Sequence, residues 1–225
     1  MEAKFLLQVD HCEFPEDIFF DVENDVWFRP SPNGTGRTGI TTVLLFLAGR
    51  ITRAYTRPGI SDIARGKSLG SVESVRYFGN VRSPVSGRIS KLNEDLKKDP
   101  RPLIGSPYGE GWFAEYERFE ESSLSYLLYG AKAIAALDAR IKELKIRCFK
   151  VLPDEDLYSI GLECAAVLSN LGEELEGKPR GYVVHLVTDD PTADIEMVRW
   201  TMQTRNELVE SRTEGNLFHF LVRKT

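Results

Sequence analysis

Hydrophobic and polar residues alternate over short runs in the first half of the chain. The stretch "DIFFDVENDVWFRP" holds two such runs around Glu23-Asn24-Asp25, and this pattern predicts a β-hairpin. Glycines recur between the runs that follow, as is typical of turns. "VLLFLA" (Val43–Ala48) is apolar throughout and has the length of a strand. We therefore expect an all-β domain up to about Tyr116, folded as a small barrel or sandwich.

The spacing of apolar residues changes between Glu121 and Leu144. Apolar residues recur there at steps of three and four: Leu124, Leu127, Leu128, Ala131, Ile134, Ala135, Leu137 and Ile141. This spacing predicts a helix of about 20 residues, roughly 30 Å long. We expect this helix to connect the two halves of the chain.

Residues 146–225 show strand and helix patterns in alternation. The stretches "KIRCFKVL" and "GYVVHLVTDD" read as strands, and "GLECAAVLSNLGEELEG" and "PTADIEMVRWTMQTR" read as helices. A closing hairpin is predicted around Glu214-Gly215. The order β-α-β-α-β-β predicts an α+β two-layer sandwich, with two helices on one face of a four-stranded sheet.

Composition narrows the class of protein. The chain has 225 residues, of which 42% are hydrophobic and 28% charged, as is usual for a folded soluble protein. Its net charge of −5 does not favour a nucleic-acid partner, since such proteins usually carry a basic face. There is no run of 18 apolar residues, so we expect no membrane span. The first residues lack the long apolar stretch of a signal peptide, and we expect none.

Cysteine and histidine are few and scattered. Cys12, Cys148 and Cys164 form no CxxC pair, and their odd number favours a reducing cytoplasm over a disulfide framework. We expect Cys148 to pack inside a strand and Cys12 to be exposed. Histidines 11, 185 and 219 lie far apart along the chain, so a metal site is not expected.

Four motifs in the first half carry a resemblance to a known family. They are "TGIT" (Thr38–Thr41), "GSVESVR" (Gly70–Arg76), "SPVSGRISKLNEDL" (Ser83–Leu96) and "PYGEGW" (Pro107–Trp112). In order and spacing, residues 12–117 resemble the H protein of the glycine cleavage system. The resemblance implies a lipoyl-type barrel-sandwich hybrid, whose hairpin tip presents a lysine that carries lipoate in amide linkage. Arg76 stands at the matching position.

The chemistry of arginine argues against that attachment. Forming the amide needs a neutral amine, and a free lysine presents about 0.04% neutral amine at pH 7. Arginine presents roughly three orders of magnitude less, which adds ~4–5 kcal/mol. Covalent lipoate is therefore not expected at Arg76. Lys67 and Lys91 lie outside the tip, and lipoate on another lysine is kept as an alternative.

Two interpretations of Arg76 remain open. It is either an exposed turn residue of a scaffold that lost its prosthetic group, or a cation that binds an anion or a partner carboxylate. Glu73 lies near the tip, where the resemblance implies that partner enzymes contact the hairpin. It is a docking candidate or a solvated strand residue.

Residues 146–225 carry a second resemblance. "GLEC" (Gly161–Cys164), "TDDPTADIEM" (Thr188–Met197) and "FHFLVRKT" (Phe218–Thr225) resemble the TusA/SirA family of sulfur carriers. That family implies a cysteine at a helix start that carries a persulfide, and Cys164 matches it. A helix start stabilises a thiolate, so we expect a lowered thiol pKa. The family's prolines after the cysteine are absent here, since the chain reads "CAAV".

Other interpretations of these residues stay open. Cys164 is either a persulfide acceptor or a small core residue. Asp189 and Asp190 precede a predicted helix, where N-capping is their ordinary role, and partner docking is an alternative.

Together these patterns predict three segments. They are an H-protein-like domain at 12–117, a helical connector at 118–145 and a TusA-like sulfur-carrier domain at 146–225. The function that we expect is sulfur transfer by a carrier, not a turnover enzyme, with Cys164 accepting persulfide sulfur and the first domain docking partners. The alternative is a non-catalytic adaptor or regulator of lipoate or glycine-cleavage enzymes. The expected partners are proteins of sulfur transfer or of lipoate and glycine-cleavage metabolism, in the cytoplasm, without nucleic acid or membrane.

Overall fold

The structure is a computed structural model that describes residues 6–225. The chain forms two compact units. Unit 1 ends at Cys148, and unit 2 runs from Phe149 to Thr225.

Strands make up most of unit 1. They are β1 (Leu6–Val9), β2 (Cys12–Pro15), β3 (Phe19–Asp21), β4 (Val26–Pro30), β5 (Gly36–Ile40), β6 (Ile51–Thr56), β7 (Asp62–Ile63), β8 (Ser68–Ser74), β9 (Phe78–Arg82), β10 (Gly87–Leu92) and β11 (Trp112–Phe119). The predicted hairpin is confirmed, since β3 and β4 pair antiparallel on either side of the expected turn.

The predicted β-sheets of unit 1 are present, and helices within residues 12–117 depart from the all-β expectation. Unit 1 has five helical segments among the described residues. They are α1 (Thr42–Ala48), α2 (Asp95–Lys98), α3 (Arg101–Gly105), a 3-10 helix (Glu121–Tyr126) and α4 (Gly130–Leu144).

The sheets of unit 1 are open, and no barrel closes among residues 6–148. One sheet has six strands in the order β3-β4-β5-β11-β10-β7, a second has the order β6-β8-β9, and β1 pairs with β2 alone. The edge strand β7 has two residues, which pair only with Gly87 and Arg88. At the opposite edge, the backbone of Phe20 in β3 bonds Leu128 in both directions, at 2.8 and 2.9 Å. One edge strand of the six-stranded sheet is thus very short, and the other is already hydrogen-bonded to Leu128.

"VLLFLA" forms helix α1, although its length and apolar character favoured a strand. The Thr41 hydroxyl accepts the N–H of Leu44 at 3.4 Å and caps the helix start. Val43, Leu44, Leu45 and Ala48 are all buried. A short helix that is buried on most sides lacks the one-sided pattern that separates helix from strand in sequence.

The predicted helix over Glu121–Leu144 is interrupted. A 3-10 helix ends at Tyr126, and α4 begins only at Gly130. Between them, the N–H of Leu128 donates to the carbonyl of Phe20 in β3, and the carbonyl of Leu128 accepts the N–H of Phe20. Neither group is then available for a hydrogen bond within a helix. In helix α4, Ala133, Leu137 and Ile141 pack into unit 1, in a cluster with residues of β1, β2 and β4. The role of this helix as a connector stays a prediction.

Unit 2 contains four strands and two helices in the sequence strand, helix, strand, helix, strand, strand. They are β12 (Glu155–Ser159), α5 (Cys164–Leu175), β13 (Val183–Thr188), α6 (Ala193–Thr204), β14 (Glu207–Glu214) and β15 (Leu217–Arg223). The sheet order is β12-β13-β15-β14, with β12 parallel to β13 and the other pairs antiparallel. The closing hairpin turns at Gly215, which has a positive φ of 63°.

Both helices of unit 2 contribute to one apolar cluster with the sheet. Its buried members are Val167, Leu171 and Leu175 from α5, Ala193 and Met197 from α6, Val184 and Leu186 from β13, and Phe220 and Val222 from β15. The strand members are two residues apart, so they lie on one face of the sheet.

The stretch "KIRCFKVL" is not a strand, which corrects the prediction. Residues 146–149 have no regular structure, and β12 begins only at Glu155. Ile146 and Cys148 are buried in the cluster that contains α4. Among the described residues, no helix is long and apolar enough to cross a membrane.

Candidate functional site

The first candidate site is the tip of the β8–β9 hairpin. The N–H of Ser74 donates to the Tyr77 carbonyl at 2.8 Å and closes the turn. Val75 and Arg76 occupy the turn itself, and Val75 is 99% exposed. The structure therefore places Arg76 at a solvent-exposed tip, where the sequence motif puts it.

Arg76 contacts the C-terminal end of helix α1. Its guanidinium donates to the Phe46 carbonyl at 3.4 Å, and its backbone N–H donates to the Ser74 hydroxyl at 3.3 Å. That hydroxyl in turn donates to the Ala48 carbonyl at 2.7 Å. The last carbonyls of a helix lack intrahelical partners and carry partial negative charge, which favours a cation beside them. The tip residues thus bind the end of α1.

Gly49 makes this close approach possible. A Cβ atom at Gly49 would lie 2.9 Å from the Nε atom of Arg76. Gly49 also has a φ of +71°, a conformation that L side chains rarely adopt.

Glu73 forms a cross-strand ion pair. Its carboxylate lies 3.3 Å from the Nη1 atom of Arg53 on β6. Both side chains are partly exposed, so this pair contributes at most about 1 kcal/mol to stability. The docking role of Glu73 stays a prediction.

The two lysines considered as alternatives lie elsewhere. Lys67 precedes β8, and its backbone bonds Ala64 and Ser83 at the end of the strand opposite the tip. Lys91 lies on β10, with its amine 5.5 Å from the centre of the Trp112 ring. The hairpin residues 68–82 contain no lysine.

The second candidate site is Cys164, in unit 2. Cys164 is the first residue of α5, where the sequence pattern puts it, and is half-buried. Its backbone N–H donates to the Asp190 carboxylate at 2.8 Å. Asp190 also accepts the N–H and the hydroxyl of Thr192, at 2.7 and 2.6 Å. One carboxylate thus joins the start of α5 to the turn before α6.

The surroundings of Cys164 act against a reactive thiolate. Burial raises the pKa of the Cys164 thiol above its ordinary value, and the carboxylates of Asp190 and Glu196 raise it further. A hydrogen bond with Thr192 opposes these effects and lowers the pKa. The net direction is upward, opposite to the one expected from the helix dipole. The main reason is burial of the thiol, and the carboxylate of Asp190, which accepts the amide at the helix start, adds to it.

Asp189 has a local structural role. Its carboxylate accepts the N–H of Gly161 at 2.7 Å, in the loop before α5. Asp189 and Asp190 therefore both bind the loop and helix start that carry Cys164, and partner docking by either stays a prediction.

The structure joins Cys12 and Cys148 in a disulfide, which the sequence analysis missed. Both residues are buried, so the exposed Cys12 that we expected is also corrected. Their separation of 136 residues and the odd number of cysteines concealed the pair. A reducing cytoplasm stays a prediction, and the disulfide does not support it.

A buried histidine pair in unit 2 was also missed. The Nδ1 atom of His185 lies 2.8 Å from Asp156, and its Nε2 atom lies 2.9 Å from Nδ1 of His219. Both rings are buried, and the ring of Phe149 lies against His185 with the centroids 4.6 Å apart. Alternation along β13 and β15 places both histidines on the face opposite the helices, which sequence could have indicated once the strands were paired. Among the described residues, no group of three or more ligand side chains could hold a metal ion.

The β-sheets of unit 1 and the hairpin that carries the motif "GSVESVR" are typical of the lipoyl-domain class, and comparisons with known proteins identify the family. The sequence model of the glycine cleavage H-protein family matches residues 19–140. The chain belongs to the glycine cleavage H-protein family. The matched range ends before unit 2 begins, so the resemblance of unit 2 to sulfur carriers stays a prediction.

Individual H proteins are similar in sequence to this chain. Glycine cleavage system H protein 2 of Aquifex aeolicus is 32% identical over 138 residues, which cover 61% of this chain and 86% of the relative. Probable glycine cleavage system H protein 2 of Sulfurisphaera tokodaii is 29% identical over 145 residues, 64% of this chain and 98% of the relative. A crystal structure of a glycine cleavage system H protein from Mycobacterium marinum aligns with a TM-score of 0.47 and 26% identity, covering 56% of this chain and 99% of that one.

Proposed function

We propose that unit 1 is an H-protein docking module that works without a covalent lipoyl arm, as an adaptor or regulator of enzymes that act on H proteins. The observation that carries this proposal is Arg76 at the tip of the hairpin, in contact with helix α1.

The residues at the tip do not fit an amide-linked acyl group. A guanidinium stays protonated at neutral pH and offers no free electron pair to an activated acyl donor. The guanidinium of the exposed Arg76 also hydrogen-bonds the Phe46 carbonyl and lies close to Gly49. Lys67 and Lys91 are displaced from the turn, so neither substitutes for a lysine at the tip.

The exposed apolar residues of the hairpin support the docking part of the proposal. Val75 is 99% exposed and Phe78 is 70% exposed, at the turn and at the first residue of β9. An adaptor that presents this hairpin to an H-protein-binding enzyme would compete with lipoylated H proteins for the same surface of that enzyme.

The first experiment offers the chain a lipoate–protein ligase, lipoate and ATP, and measures the intact mass. We expect the wild-type mass to stay unchanged and the Arg76→Lys variant to gain one lipoyl group. A lipoyl group on the wild type would contradict the loss of the arm. An unmodified Arg76→Lys variant would contradict recognition of the hairpin by an H-protein enzyme.

The second experiment measures competition. The wild-type chain is added to the ligase while the ligase modifies a genuine H protein, and the inhibition constant is determined. We expect Val75→Asp to weaken the inhibition at least tenfold. Met202→Asp is the matched control, because Met202 is also exposed and apolar but lies on α6 of unit 2. Equal inhibition by both variants would contradict docking through the hairpin.

Sulfur transfer through Cys164 is a second candidate function. It is supported by a half-buried free thiol on the first residue of α5. In the step, the Cys164 thiolate attacks the outer sulfur of a donor persulfide, so that Cys164 becomes a persulfide and the donor leaves as a thiol.

The raised pKa of the Cys164 thiol predicts slow uptake of sulfur from the donor. Mass spectrometry after incubation with a small-molecule persulfide tests it: the absence of a sulfur adduct on the wild type, or an equal adduct on Cys164→Ser, contradicts it.

A further inference from the structure

The Cys12–Cys148 disulfide joins two places that the backbone brings together only through tertiary folding. Cys12 is the first residue of β2, and Cys148 is the last residue of unit 1. Their Cα atoms are 5.0 Å apart, and 136 residues separate them along the chain. Within residues 6–225, the remaining cysteine, Cys164, is free.

The β1–β2 hairpin depends on side-chain packing for its place in unit 1. Its two strands pair with each other and with no other described strand. An isolated two-stranded hairpin is marginally stable in water. Val9 and Phe14 of this hairpin pack in the cluster that contains Leu137 and Ile141 of α4. The disulfide adds a covalent bond to this packing.

The segment that follows α4 lies outside the sheets of unit 1. Helix α4 ends at Lys145, which adopts a left-handed conformation, and Ile146 donates its N–H to the Ile141 carbonyl at 2.9 Å. Residues 146–148 form neither helix nor strand. The buried side chains of Ile146 and Cys148 hold this exit segment against the cluster.

We propose that the Cys12–Cys148 disulfide is a redox-controlled lock on the β1–β2 hairpin and on the exit segment of unit 1. The lock closes by exchange with a small-molecule disulfide. One thiolate attacks that disulfide and releases one small thiol, and the second cysteine then displaces the other small thiol from the mixed disulfide. Two protein thiols and one small disulfide thus give one protein disulfide and two small thiols.

Burial of both sulfurs makes the lock slow to open. Cys12 is 0% exposed and Cys148 is 1% exposed, so an external thiolate reaches neither sulfur until the hairpin or the exit segment separates from the cluster. Opening by reduction frees these two segments. The six-stranded sheet contributes Trp27 and Trp112 to the cluster of the disulfide, but it also packs in a second apolar cluster through residues such as Ile40 and Phe113. The sheet is therefore expected to keep its structure.

The bond itself is tested by counting thiols in a Cys164→Ser variant, which leaves only Cys12 and Cys148. The folded variant is incubated with oxidised glutathione, desalted, unfolded in denaturant, alkylated and weighed. We expect no alkylated cysteine in this sample and two in a sample reduced before alkylation. Two alkylated cysteines in the oxidised sample, or a glutathione adduct that persists on either cysteine, would overturn the proposal.

The lock is tested by hydrogen exchange on oxidised and reduced forms of the same Cys164→Ser chain. We expect reduction to speed amide exchange at least tenfold in residues 6–15 and 145–148, and to leave the amides of β5 and β11 within twofold. Uniform acceleration, or no change in the hairpin, would overturn it. A Cys12→Ser/Cys148→Ser/Cys164→Ser variant is the control, because its exchange rates are expected not to depend on the oxidant. The comparison of the two redox forms needs no cysteine substitution at the lock, so it stands even if this control does not fold.

Discussion

At the scale of residues, Gly49 and Arg76 are coupled by their close approach. Gly49 follows the last turn of α1, and its φ of +71° with ψ of −155° lies in a region that is essentially restricted to glycine. The guanidinium of Arg76 lies against the same Cα atom. A side chain at residue 49 would meet both a strained backbone and the arginine.

The Gly49→Ala variant is therefore expected to lower the free energy of unfolding by about 2 kcal/mol. Urea unfolding followed by tryptophan fluorescence measures this change. Gly105→Ala is the matched control, because Gly105 has an ordinary φ and open space around the position of a Cβ atom. That control is expected to change stability by less than about 0.5 kcal/mol. Equal losses in the two variants would contradict a special requirement for glycine at residue 49.

Cys164 shows how the surroundings of one residue change a chemical expectation. Its position at the start of α5 was readable from sequence, because helix patterns and their boundaries depend on neighbouring residues. The direction of its pKa shift was not readable from sequence, because Asp190 and Thr192 are more than 25 residues away along the chain and come close to the thiol only after folding. A residue's position along an element is local information, whereas its electrostatic surroundings are not.

At the scale of elements, α4 is attached to the sheet by an ion pair as well as by apolar packing. The guanidinium of Arg140 lies 3.0 Å from the carboxylate of Asp25, which is buried in the turn between β3 and β4. Burial raises the pKa of Asp25, while the hydrogen bond and the charge of Arg140 lower it. Removing Arg140 leaves a buried carboxyl group without this cation.

We expect Arg140→Ala to lower the free energy of unfolding by about 2 kcal/mol at pH 7. The folded Asp25 binds its proton more tightly than the unfolded one, so the Asp25 contribution to stability falls as the pH rises from the unfolded pKa towards the folded pKa. Loss of Arg140 raises the folded pKa further. The variant is therefore expected to lose less stability near pH 4, where a larger fraction of Asp25 is protonated, than at pH 7.

Lys142→Ala is the matched control for this helix. Lys142 pairs with Asp138 on an exposed surface, so its loss is expected to change the stability much less than the loss of Arg140. Chemical unfolding of all three proteins at both pH values measures these differences. A loss in Arg140→Ala that is the same at pH 4 and pH 7 would contradict the role of the ionised Asp25.

Element prediction succeeded where the determining contacts are local. The β3–β4 hairpin follows from alternation around a polar turn, and the β14–β15 hairpin from a turn with Gly215. It failed for α1 and for residues 127–129. In both places the outcome depends on distant partners: burial on most sides of α1, and the backbone of Phe20 for Leu128.

At the scale of the whole molecule, unit 1 and unit 2 have separate apolar clusters. Leu69 on β8 and Leu171 on α5 are fully buried, one in a cluster of each unit. Replacing either by alanine removes buried methyl groups, which costs about 2–5 kcal/mol in a protein core.

We expect Leu171→Ala to speed hydrogen exchange in β13 of unit 2 and to leave β5 of unit 1 unchanged. Leu69→Ala is expected to have the opposite pattern, so each variant serves as the control for the other. The physical reason is that a local loss of packing lowers the opening free energy of its own cooperative unit. Equal acceleration of β5 and β13 in either variant would show that the two units unfold as one.

The sequence by itself determined the features that depend on neighbours along the chain. These are the two hairpins, the helix start at Cys164, the H-protein motifs and the arginine at the hairpin tip. Alternation, helical spacing and turn residues act within a few positions, so a single sequence displays them. The family followed from the same motifs and was confirmed by the match over residues 19–140.

Only the tertiary structure decided the features that join distant residues. The backbone of Phe20, at the edge of the six-stranded sheet, hydrogen-bonds Leu128, and a disulfide joins Cys12 to Cys148 across 136 residues. Arg76 lies on the end of α1, and burial, together with the carboxylate of Asp190, raises the pKa of Cys164. Each of these contacts forms between segments that folding brings together, and the energies of such contacts depend on burial and geometry that no local pattern of residues contains.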